Sequence, residues 1–237
     1  MARITFIAIF FMNLQKLSWA FTSLIASGVC IGGDPAHAIN LVTNGSFEAD
    51  AISDNSFARL SSLTGWTVHP NPVDVIRDPF RGWTSQNGSQ FVEMDSFANT
   101  QISQTISSLS IGQAYNFSFY YSPRADFATE TSLPASTLGL NVSLGATQIF
   151  ALAQQGGPSM NWQKYNYQFT ATSTSQTIFF VGAGTSDGYG AFLDNVSVEA
   201  VPAPLPILGS GAALGYFRRM RGQSRRLRQA LSSQGQG

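Results

Sequence analysis

Glu93 and Asp95, in the stretch FVEMDS, stand two residues apart. That spacing puts both side chains on one face of a β-strand, about 7 Å from each other. Glycoside hydrolysis needs two carboxyls about 5 Å or about 6.5–9.5 Å apart, flanking the scissile bond. Distance admits the pair, but two side chains pointing the same way do not flank a substrate. The one histidine between residues 39 and 200 is His69, in TVHPNPVD. It leaves no His-rich metal centre, and a Ser-His-Asp triad would rest on it alone. The glycine-rich run GAGTSDGYG (182–190) precedes a strand-like stretch rather than a helix, so it reads as a turn and not a phosphate cradle. These residues point away from an enzyme.

Binding sugar asks for other groups. A pyranose has one apolar face, which aromatic rings cover, and a rim of hydroxyls, which a few polar groups bond. Trp83 lies with Phe80 and Arg81 in the turn-rich DPFRGWTSQNG, Arg124 follows a strand-like run in YYSPRADF, and Tyr189 lies in SDGYGAF. Trp83, Arg124 and Tyr189 are therefore the candidate ligand-binding residues. The alternative is that all three fold onto the domain edge. Trp66 and Trp162 sit in strand-like stretches and are expected in the core.

The elements that must position these loops are strands. AYNFSFYY sets Tyr115, Phe117, Phe119 and Tyr121 on one face and Asn116 and Ser118 on the other. KYNYQFTA and LGLNVSL alternate in the same way, TIFFV suits a buried strand, and Gly, Asn, Ser and Pro clusters separate the runs. Residues 39–200 thus read as one antiparallel β-sandwich, large enough for its own core. Within that span five basic residues (Arg59, Arg77, Arg81, Arg124, Lys164) meet twelve acidic ones, a formal balance of −7. An acidic body of this kind does not bind nucleic acid, which needs clustered Lys and Arg.

Six motifs in order extend the reading: NLVTNGSFEAD, LTGWTV, GSQFVEMDS, QISQTISSLSIGQAYNFSF, NWQKYNYQFTA and FLDNVSVE. Together they resemble the galactose-binding-like jelly rolls, which include many carbohydrate-binding modules, and are most similar to a cell-wall-associated family of such domains. The resemblance covers about residues 40–199. It implies that the first and last strands lie side by side and bring Glu48 close to Asp194. It further implies a structural calcium held by Glu48 and Asp194, with Asn44 as a third member. The other reading is that Glu48 and Asp194 bond backbone amides and pin the terminal strands.

The two ends read as addresses. Residues 1–38 form a signal peptide, with Ala36 and Ala38 as an A-x-A site for signal peptidase and Met12 as an alternative start. The one cysteine, Cys30, lies inside it, so the mature chain carries no disulfide. Residues 201–237 hold VPAPLP, the eleven apolar residues ILGSGAALGYF, and an arginine cluster. A span this short is a poor permanent anchor, since about 20 apolar residues cross a bilayer. The layout is similar to the PEP-CTERM sorting signals of Gram-negative bacteria, which an exosortase recognises. Pro202 and Pro204 would form the motif and Arg218 and Arg219 the basic end, with Ala203 where that family carries Glu. The resemblance implies transient inner-membrane anchoring and delivery to the cell surface. The expected function is non-catalytic binding of extracellular polysaccharide; a purely structural surface protein and a glycan-active enzyme are the alternatives.

Overall fold

Tyr115, Phe117, Phe119 and Tyr121 all turn inward, and each is almost fully buried, in a computed structural model that describes residues 38–125 and 133–202. Each such ring contributes about 2–3 kcal/mol of burial. They belong to β6 (Ala114–Pro123), the last strand but one of a six-stranded antiparallel sheet. Its order is β1 (Ser56–Leu60), β3 (Val73–Arg77), β4 (Gln90–Glu93), β11 (Ala191–Ala200), β6 and β9 (Gln163–Thr170). Facing it is a five-stranded sheet in the order β2 (Thr67–His69), β5 (Gln101–Ile106), β10 (Gln176–Ala183), β7 (Gly139–Leu144) and β8 (Thr147–Ala153). Phe180 of β10 meets Phe117 and Phe119 of β6 at ring separations of 5.9 and 5.2 Å, closing the core between the sheets. The fold is the expected all-β jelly-roll sandwich. Trp66 joins this core, whereas Trp162 precedes β9 and packs outside it.

The segment before β1 runs beside β11, as expected. Leu41 N–H donates to Val198 O at 2.9 Å, and Val196 N–H donates to Gly45 O at 2.8 Å. A Cβ on Gly45 would stand 2.1 Å from Val196 O, so the NGSF motif carries glycine because two backbones touch there. Opposite, β11 bulges between Asp194 and Ser197, with Asn195 in the left-handed region at φ 50°. The bulge absorbs one residue. Leu193 before it and Val196 and Val198 after it therefore all reach the core.

The six-stranded sheet is buried on both faces at its centre. Ile76, Phe91 and Phe192 point away from the main core into a second cluster with Trp83 and Ala125, against which Phe80, Met160 and Trp162 pack. The covering residues Phe80 and Trp83 come from residues 78–89, the connection between β3 and β4. Asp78 closes that connection by accepting from Ser85 N–H at 3.1 Å and Ser85 Oγ at 3.0 Å. Pro204, Arg218, Arg219, the whole C-terminal apolar stretch and residues 1–37 lie outside the described residues.

Candidate functional site

Register builds a row of polar side chains on this outer face. Arg59 of β1 stands opposite Asp74 of β3, Asp74 opposite Glu93 of β4, Glu93 opposite Phe192 of β11, and Phe192 opposite Ser122 of β6. Two carboxylates directly opposite each other repel, so each must find a cation. Arg59 grips Asp74 with two bonds, Nε to Oδ1 at 3.0 Å and Nη2 to Oδ2 at 3.3 Å, and donates to Ser96 O at 2.7 Å. Arg124 donates to Glu93 Oε1 at 2.5 Å, and Gly190 N–H donates to the same oxygen at 2.9 Å. Burial nevertheless pushes the Glu93 carboxyl up to about 7, against the pull of Arg124 and Gly190. Burial also raises Asp74, opposed by its bond to Arg59.

Arg124 ties the three sequence candidates together. Its guanidinium carbon lies 4.9 Å from the Trp83 ring centre and 4.7 Å from that of Tyr189. Trp83, however, is 3% exposed, and its Nε1 donates to Ala125 O at 2.9 Å. It is a floor rather than a platform. The exposed rings are others: Tyr189 (41%), Phe57 (47%) and Phe97 (53%), the last 5.1 Å from the Arg59 guanidinium carbon. Phe57, Arg59, Asp74, Phe80, Arg81, Trp83, Glu93 and Arg124 bound a groove of about 160 Å³. That is smaller than the 300–1,000 Å³ typical of pockets for drug-sized ligands, so a partner would lie on it rather than inside it. Sequence reading missed Arg59, Asp74, Phe57 and Phe97. Only the long-range pairing of β1, β3 and β4 assembles them.

Glu93 and Asp95 do not form a pair. β4 ends at Glu93, and Asp95 turns to the connection before β11, where its Oδ2 accepts from Asp187 N–H at 3.1 Å. His69 is exposed at the end of β2. The letters G-x-S-x-G do occur, at Gly184–Gly188, but they lead into strand β11, and Ser186 Oγ accepts from Asn99 N–H at 2.7 Å. A nucleophile elbow runs from strand to helix.

The expected calcium residues divide in two. Glu48 Oε1 accepts from the N–H groups of Ser89 at 2.7 Å and Gln90 at 2.6 Å, and its Oε2 accepts from Ser89 Oγ at 3.0 Å. Asp194 Oδ2 accepts from the N–H groups of Gln86 and Asn87, both at 2.8 Å, and its Oδ1 from its neighbour Asn195 at 2.6 Å. A Cβ on Gly88, itself at φ 76°, would stand 2.4 Å from Glu48 Oε1, so the connection closes on Glu48 only through glycine. Asn44 instead bonds Asp50 at 3.3 Å and Thr64 O at 2.9 Å. Calcium takes six to eight oxygens. Here N–H donors converge on both carboxylates, and no group of three His, Cys, Asp or Glu side chains that could hold a metal occurs among the described residues. Both carboxylates take the other role the sequence allowed, bonding backbone amides. The pair clamps residues 86–90, the far half of the connection whose near half floors the groove. Burial pushes Asp194 up to about 7, with its three N–H partners pulling the other way.

Relatives were found by sequence and by structure. Halomucin from Haloquadratum walsbyi is 29% identical over 194 residues, covering 78% of this chain and 2% of halomucin. The multifunctional-autoprocessing repeats-in-toxin of Vibrio cholerae is 27% identical over 160 residues, covering 67% of this chain and 3% of the toxin. The chain thus spans a few hundredths of the length of the curated relatives it matches. Among solved structures, a cyclase from Fischerella sp. TAU superposes with a TM-score of 0.52 at 16% identity, covering 70% of this chain and 99% of the cyclase. That likeness shows the fold alone. Several carbohydrate-binding modules align less well, among them a xylan-binding domain from Paenibacillus barcinonensis with a TM-score of 0.39 and 14% identity, covering 70% of this chain and 97% of that domain. The family model described as "Protein of unknown function (DUF642)" matches residues 40–199, the whole sandwich, and the chain belongs to that family.

Proposed function

We propose that this domain binds extracellular polysaccharide, without turning it over, at the groove on the outer face of the six-stranded sheet. One observation carries the reading: two carboxylate–guanidinium pairs lie side by side, with exposed Tyr189 against Arg124, exposed Phe97 against Arg59 and exposed Phe57 in the groove wall. Planar charged groups bond neighbouring hydroxyls in pairs, and exposed rings cover the apolar face of a sugar. Catalysis is a poor match. Glu93 and Asp74 are cross-strand neighbours on one surface, each bonded to an arginine, so they do not flank a glycosidic bond from two sides. The names of the relatives, a halomucin and toxins, agree with an exported chain. On this reading signal peptidase cuts after Ala38, and an exosortase-type enzyme processes residues 201–237 at the surface of a Gram-negative cell.

A glycan array probed with the wild type, Tyr189→Ala and Phe97→Ala tests the groove. Each variant should lose about five-fold or more in binding with its thermal midpoint unchanged, because both rings are exposed. Equal binding by all three removes the groove as the site. Mass spectrometry of both ends of the surface protein tests export: an intact arginine cluster would sink the sorting reading.

A further inference from the structure

Three of the five basic residues between positions 39 and 200, Arg59, Arg81 and Arg124, line this one groove. The rest of that span carries a strong acidic excess, so the concentration of positive charge is local. Two of the three are already matched. Asp74 takes Arg59 and Glu93 takes Arg124, and both carboxylates are nearly inaccessible to solvent. Arg81 has no carboxylate partner among the described residues. Its guanidinium carbon lies 5.6 Å from the Phe80 ring centre and 5.9 Å from that of Trp83, and the residue is exposed. Its backbone is in the left-handed region at φ 52°, beside Gly82 at φ 79°. That conformation favours glycine, so a long cationic side chain stands at the crest of the turn against local preference. Among the cations that line the groove, Arg81 is therefore the one left without a carboxylate partner among the described residues.

We propose that the groove selects an anionic saccharide, with Arg81 as the counter-ion to its carboxylate or sulfate. This rests on the preceding reading that the groove binds polysaccharide. A guanidinium takes a planar carboxylate through two parallel N–H bonds, which a neutral hydroxymethyl group cannot reproduce. The neighbouring Tyr189 and Phe57 would take the apolar face of the ring. The acidic surroundings set the other half of the specificity. A densely charged polyanion such as nucleic acid would meet the acidic excess of the domain, whereas one anionic group per sugar can be met by one arginine.

The test is calorimetric titration of the full chain with oligomannuronate, with the same oligosaccharide after esterification of its carboxyls, and with a sulfated oligosaccharide. Wild type should bind the uronate about ten-fold tighter than its ester, and the preference should shrink as salt is raised. Arg81→Ala should bind uronate and ester equally with an unchanged thermal midpoint, and Arg81→Lys should keep part of the preference. Tighter binding of the sulfated sugar than of the uronate makes sulfate the source of the charge and supports the inference. Equal binding of uronate and ester by wild type, or a preference that survives Arg81→Ala, overturns it while leaving the groove as a neutral-sugar site. Binding of no saccharide, on the array or by calorimetry, overturns the polysaccharide reading itself.

Discussion

Two pairs of carboxylates hold the same sheet, and burial pushes one member of each, Glu93 and Asp194, to about the same value near 7. Their titration does not tell them apart; their partners do. Asp194 and Glu48 are met by backbone N–H groups, fixed by the chain and with no alternative use. Glu93 and Asp74 are each met by a guanidinium group on a flexible stem beside an open groove, with one backbone N–H, that of Gly190, added on Glu93. Backbone donors make a clamp. Side-chain donors can turn part of their bonding capacity toward a ligand. The difference separates a structural carboxylate from a binding one where burial and charge alone would not.

The largest way to break this comparison is Asp194→Ala. It strands the N–H groups of Gln86, Asn87 and Asn195 in a partly buried setting, at about 3 kcal/mol in total. For a domain of this size that is about 6–12 °C in thermal midpoint, with glycan binding lost only as the connection loosens. A loss under about 2 °C would remove the clamp. A smaller effect comes from pH. Both raised carboxyls hold protons in the folded domain that the unfolded chain has released, from about pH 4 up to about 7. The native state binds more protons across that window, so stability declines as pH rises through it and this contribution is gone above about 7. Thermal midpoints at pH 5 and pH 8 should fall in that direction, and Glu93→Gln and Asp194→Asn should each flatten part of the decline. A midpoint that rises instead would mean that both acids are ionised in their pairs. The smallest expected effect is that of a chelator, a change of under about 1 °C. A larger drop would restore a cation between Glu48 and Asp194.

Where a strand is buried on one face, its letters declared it. Tyr115, Phe117, Phe119 and Tyr121 alternate because the five-stranded sheet lies on their side only. β3 and β4 carry VDVIR and QFVE, buried at almost every position, because the 78–89 connection covers their second face. Such strands lose the period of two, and they are the ones that hold Asp74 and Glu93. Trp83 shows the same cause from the other side. Its turn-rich setting argued for exposure, but a turn folded back onto a sheet is a lid, and the tryptophan became its inner surface. Tyr189 was legible because its short Asx turn, with Tyr189 N–H donating to Asp187 Oδ1 at 3.1 Å, leaves the ring outside. Arg59 and its pairing with Asp74 were not, since strand register is set by distant segments.

The seam between the first segment and β11 has a mechanical consequence. Asn40 and Leu41 lie beside Val198 while Gly45 lies beside Val196, so the two segments run in opposite directions and the sandwich begins and ends at the same place. Tension applied between those two points would load the contacts in sequence, Leu41 to Val198 first and Gly45 to Val196 later, as in peeling rather than shearing. A domain pulled this way yields at low force and gives up its first segment before the sheets separate. Glu48 follows directly on that segment. Pulling would therefore reach the clamp on residues 86–90 early, and the groove would slacken while most of the sandwich still held.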